Sequence, residues 1–137
     1  MANAATEEHI KELVAKMQLY QSRLDLLQQQ SNMVQLSIND IDNALKSLGS
    51  FDGKGAGQEM LVPIGANSYV YATVSNPDRI LIGIGAGISI EKSAPESKEI
   101  LSLRRTELEK ILAETTNAFN QIANEFMVLQ QEAQKYR

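Results

Sequence analysis

From Ile10 to Leu48 apolar residues recur alternately three and four positions apart. The row is Ile10, Leu13, Met17, Tyr20, Leu24, Leu27, Ser31, Val34, Ile38, Ile41, Leu45 and Leu48, and only Ser31 interrupts it. This is the seam of a coiled coil, and it runs longer than the stripe of an ordinary globular helix. The spacing predicts a helix over 7–48, about 60 Å long at the α-helical rise. Glu7 and Glu8 suit its first turn and Gly49 its C-cap. A second row follows at Leu101, Arg105, Leu108, Leu112, Thr115, Phe119, Ile122, Phe126, Leu129, Ala133 and Tyr136. It predicts a helix over 94–136, with Arg105 and Thr115 as polar interruptions. Ser93-Ala94-Pro95-Glu96 fits a capping box at its start.

Between the helices the pattern changes. Residues 49–58 are glycine-rich and read as a connector. Residues 59–92 are rich in Ile, Val and Tyr and are broken at Gly65-Ala66-Asn67, Asn76-Pro77-Asp78 and Gly85-Ala86-Gly87. They predict four short strands in two β-hairpins. Ile80, Ile82 and Ile84 fall on one strand face, as do Ile88 and Ile90. The expected fold is α+β: a long antiparallel two-helix coiled-coil hairpin with two β-hairpins inserted between the helices, one domain over 1–137. Folding the chain back opposes Lys16 to Glu132 and Arg23 to Glu125, so these pairs are expected to mark the register.

Composition narrows the function. Aromatic residues make up 5% of the chain and Trp is absent, while hydrophobic residues reach 43%. Such a chain buries apolar surface along helix seams more readily than in a compact ball. The net charge of -4 attracts neither nucleic acid nor an anionic membrane. Without cysteine there are no disulfides or thiolate metal sites. Residues 1–8 lack a basic segment and an apolar run, and no stretch has the length of apolar sequence a membrane span needs. The expected location is the cytoplasm.

Motifs for chemistry fail on detail. Gly83-Ile84-Gly85-Ala86-Gly87 resembles a dinucleotide fingerprint, but Ile88 stands where the last glycine belongs and a strand follows. Gly53-Lys54 lacks both the spacing of a P-loop and its Ser or Thr. His9 is the only histidine and cannot build a metal cluster. Asp40 and Asp42 point to different helix faces and make no carboxylate dyad. We expect no enzyme activity, no metal and no cofactor.

The runs Leu61–Val74 (LVPIGANSYVYATV) and Ile80–Lys92 (ILIGIGAGISIEK), set between two heptad rows, resemble the α class of prefoldin subunits. The resemblance spans nearly the whole chain, and two hairpins rather than one favour the α class. It implies a hexamer of two α and four β subunits, paired hairpins forming a central β body and coiled coils projecting from it. It also implies ATP-independent holding of unfolded client proteins at the coiled-coil tips and delivery to a group II chaperonin, with no nucleic acid and no membrane.

The residues support that expectation. Strand edges in 59–92 carry unpaired backbone groups and need partner strands. The expected subunit interface is Leu61, Val62, Ile64, Tyr69, Tyr71, Val74, Ile80, Ile82, Ile84, Ile88 and Ile90. At the free end of the coiled coil, Ile10, Leu13, Val14, Met17, Leu129, Ala133 and Tyr136 are the expected client-binding residues, Met17 being an adaptable side chain. The alternative is a structural spacer or tether, in which these residues only seal the helix pair.

Overall fold

The computed structural model describes residues 4–51 and 55–136. Gly53-Lys54, rejected above as a P-loop, lies outside them. The elements in order are α1 (Ala4–Ser50), β1 (Glu59–Gly65), β2 (Ser68–Thr73), β3 (Ile80–Gly85), β4 (Ile88–Lys92) and α2 (Ala94–Gln134). The fold class is the one the heptad rows and turn signals indicate. The chain divides into two compact units, Met1–Ile38 with Glu107–Arg137, and Asn39–Thr106.

The first unit is a helix pair. Leu13, Leu24 and Ile38 are buried, and the other seam residues from Ile10 to Val34 are half-buried. On α2 the seam from Leu108 to Ala133 is half-buried throughout. The polar interruptions Ser31 and Thr115 sit in the seam too, and the Thr115 hydroxyl donates to the Ile111 carbonyl at 2.8 Å. That bond gives the hydroxyl a partner within its own helix. The helices are antiparallel, since His9 Nε2 lies 3.1 Å from Glu132 Oε1 and the His9 ring meets the edge of Tyr136 at 5.7 Å.

The expected charge pairs do not form. Glu132 bonds His9 rather than Lys16, and Arg23 lies over the ring of Tyr20, 5.9 Å from its centroid, rather than against Glu125. The reason is energetic. An exposed Lys–Glu or Arg–Glu pair is worth about 0.5 kcal/mol, whereas the seam buries or half-buries an apolar side chain at nearly every step. Apolar packing therefore decides where the charges end up.

The second unit carries the strands. Both hairpins share one design, two antiparallel strands with a register shift just before a two-residue turn. The turn residues Ala66 and Asn67 have φ of 51° and 58°, and Ala86 and Gly87 have 52° and 73°. Positive φ at both central positions is the turn whose twist matches paired strands. Asn67 and Gly87 suit it, while Ala66 and Ala86 adopt it against their side-chain preference.

Polar contacts tie this unit together. The Arg104 guanidinium donates to the Gly83 carbonyl at 2.6 Å, linking α2 to β3. Arg79 meets Glu91 at 2.6 Å across the second hairpin. The seam exception Arg105 donates to both carboxylate oxygens of Asp42, at 2.5 and 3.3 Å. That hydrogen bond holds the Asp42 carboxyl below its ordinary range and raises Arg105. The Ser93 hydroxyl accepts from Glu96 N at 3.2 Å and donates to the Glu96 carboxylate at 3.1 Å, capping α2 as the sequence indicates. Leu48, Ile82, Ala94 and Ser97 form the buried centre.

Candidate functional site

Each hairpin is a sheet of its own, β1 with β2 and β3 with β4. A lone two-stranded hairpin is marginal in water, and its outer edges hold backbone donors and acceptors without a ladder partner. The side chains agree with that incompleteness. Of the expected interface residues, Leu61, Ile64, Tyr69, Tyr71, Ile84 and Ile88 are exposed, Tyr71 to 76%. Val62, Val74, Ile80 and Ile90 are half-buried. Ile82 turns inward and is 5% exposed, so it supports β3 from beneath.

Sequence reasoning passed over two exposed residues here, Val70 and Leu81, the latter 68% exposed. A signal for them existed. In Arg79-Ile80-Leu81-Ile82, apolar side chains occupy both strand faces, the pattern of a strand to be covered on both sides.

The second candidate surface lies in the first unit, at the end of the helix pair that carries the chain termini. Leu13 is buried, and Ile10, Met17, Leu129 and Ala133 are half-buried in the seam. Val14 and Tyr136 are exposed. Two shallow hollows flank the seam. One, of about 260 Å³, is lined by Val14, Met17, Gln18, Gln21 and Phe126. The other, of about 190 Å³, is lined by Met17, Gln130, Ala133 and Gln134. Met17 lines both, and its unbranched thioether can follow an irregular ligand. Three of the seven expected tip residues, Val14, Met17 and Ala133, thus border open space beside the seam. Phe126 borders it too and was overlooked, because its heptad position reads only as core.

Among the described residues no group of three His, Cys, Asp or Glu side chains could hold a metal ion. No helix there is long and apolar enough to cross a membrane. His9, Glu132 and Tyr136 meet as a cluster of titratable side chains at the helix ends.

Comparison with known proteins fits this architecture. The family model for prefoldin subunits matches residues 20–136. Prefoldin subunit alpha of Methanosarcina mazei is 36% identical over 135 residues, covering 96% of this chain and 95% of that protein. Prefoldin subunit alpha of Methanosarcina barkeri is 36% identical over 133 residues, covering 95% and 92%. A chain from the cryo-EM structure of filamentous PFD of Methanocaldococcus jannaschii superposes with a TM-score of 0.72 at 20% identity, over 86% of this chain and 98% of that one. With a family match over most of its length and alpha-subunit relatives at 36% identity, the chain belongs to the prefoldin family, as an alpha-class subunit and component of a chaperone.

Proposed function

We propose that this subunit works in an ATP-independent holdase in the cytoplasm, a hetero-hexamer of two alpha and four beta subunits that captures unfolded proteins and passes them to a group II chaperonin. Assembly rests on the strands of residues 59–92, through Leu61, Val62, Ile64, Tyr69, Tyr71, Val74, Ile80, Ile82, Ile84, Ile88 and Ile90. Capture rests on the helix ends, through Ile10, Leu13, Val14, Met17, Leu129, Ala133 and Tyr136. The observation that carries the reading is the pair of hollows sharing Met17, an adaptable apolar side chain beside open space at the end of the helix pair. A client covering such surface gains about 25 cal/mol per Å² of apolar area. Single contacts are weak, so several arms acting together supply affinity.

The test is suppression of aggregation of a chemically denatured protein, without nucleotide, by the complete complex. Trimming 1–17 and 129–137 from this subunit, together with the ends of its partner subunits, is expected to leave assembly intact and remove most protection. Undiminished protection by a fully trimmed, assembled complex would place capture elsewhere. No protection by the untrimmed complex would favour a structural tether.

A further inference from the structure

The two hairpins repeat one another residue by residue. Met60 corresponds to Ile80, Val62 to Ile82 and Pro63 to Gly83, and the last two each stand just before the register shift, opposite Tyr69 and Ser89. In an antiparallel ladder, alternate residues turn their N–H and C=O to the partner strand, and the residues between turn them outward. One bond fixes which is which in the first hairpin. Val74 N donates to the carbonyl of Gln58, the residue opposite it, at 2.9 Å. Gln58, Met60 and Val62 therefore face β2, while Glu59, Leu61 and Pro63 face out. By the same register Ile80 and Ile82 face β4, while Leu81 and Gly83 face out. The Arg104 bond to the Gly83 carbonyl, at 2.6 Å, agrees with this, since a carbonyl turned outward is open to a side chain from α2.

The outer edges of β1 and β3 are thus interrupted at corresponding places, by different chemistry. Pro63 has no N–H to offer an incoming strand. Its ring sits where the missing donor costs the hairpin no ladder bond. Gly83 keeps its N–H, but its carbonyl is held by a guanidinium. A charge-assisted bond is stronger than a neutral one, so an incoming strand has more than water to displace. Proline and charged side chains are two devices that keep sheet edges from pairing with other chains. These strands have reason to need them. Leu61 and Leu81, the outward-facing leucines next along each edge, are 51% and 68% exposed. A hollow of about 390 Å³ lies against β3, with Leu48, Leu101 and Arg104 among its walls, so the edge has room beside it. Two copies of such an edge can pair antiparallel about a twofold axis, because each presents the other with the same groups.

We propose that Arg104 and Pro63 are edge guards, which keep β3 and β1 from pairing with the same strands of a second copy of this chain. Pro63 is a fixed block and Arg104 a reversible one, because a side chain can rotate off a carbonyl whereas a proline cannot acquire an N–H. The proposal concerns the subunit by itself and does not rest on the holdase reading.

The test uses the purified full chain alone, with its mass read by light scattering over a concentration series. Arg104→Met removes the charged donor and keeps an unbranched apolar stem. Pro63→Val restores the N–H and suits a strand. The double variant is expected to reach at least about twice the parent's mass at high concentration, since each new pairing joins two particles. Arg104→Lys, which keeps a charged donor, is expected to behave as the parent. A further change locates the contact. Leu81 N–H faces out, so Leu81→Pro costs β3 no ladder bond and is expected to return Arg104→Met to the parent's mass. A double variant with the parent's mass would overturn the proposal. So would association of Arg104→Met that survives Leu81→Pro, because it would run through another surface. Association accompanied by loss of helical circular dichroism would come from unfolding and would overturn it as well.

Discussion

The two units expose apolar surface in opposite ways. In the helix pair of 4–38 and 107–136, backbone hydrogen bonds close within each helix, and exposed residues such as Leu26 and Met33 offer area alone. In 39–106, exposed residues such as Leu61, Tyr71 and Leu81 sit on strands whose outer edges have no ladder partner among the described residues. Area alone is non-directional and accepts many ligands. An unpaired strand edge demands a partner at fixed spacing, which selects a particular protein. On the holdase reading proposed above, joining specific neighbours and holding unspecific clients would each draw on one of these kinds of surface, in separate regions.

The largest expected effect tests the strand side of that contrast. Ile82 pairs with Ile90 and is buried. Ile82→Pro removes a ladder donor and the side chain beneath β3. We expect assembly with the partner subunits to be lost, read as a drop in mass by light scattering, while circular dichroism retains most helical signal. A variant that still assembles would separate β3 from the interface.

A smaller effect is expected in the helix pair. Leu24→Ala opens a cavity in the seam and is expected to cost about 2–4 kcal/mol of stability. Leu26→Ala, two residues on and solvent-facing, is expected to change stability by less than about 0.5 kcal/mol. Thermal melts of the two variants compare them directly. Similar losses would mean that Leu26 is covered after all.

The smallest effect concerns the ion pair of Arg105 with Asp42. The Arg105 hydrogen bond lowers the Asp42 carboxyl below its ordinary value near 3.8. A depressed carboxyl contributes stability that is present above its unfolded value and is lost as pH falls through the folded one. Asp42→Asn is therefore expected to melt slightly below the parent at neutral pH, with the difference closing below about pH 4. Both side chains are part-exposed, so the gap is modest. A gap independent of pH would mean that shape rather than charge holds Arg105 in the seam.

The heptad rows, the capping box at Ser93, both hairpins and their turns were all legible in the sequence. Each is a local pattern, with periods of 3.5 or 2 and, in each turn, one residue, Asn67 or Gly87, that suits the backbone conformation. Those patterns determined that two helices and two hairpins form and in what order. Which surfaces face water was decided by the tertiary structure. Ile82 and Ile84 share a strand face by alternation, yet Ile82 is 5% exposed and Ile84, at the register shift, is 50% exposed. The Lys16–Glu132 and Arg23–Glu125 pairs were consistent with the sequence, but Glu132 turned to His9. Exposed charges contribute too little to set the alignment of two helices, whereas a seam of apolar side chains sets it through the area it removes from water, and that area exists only once the helices meet.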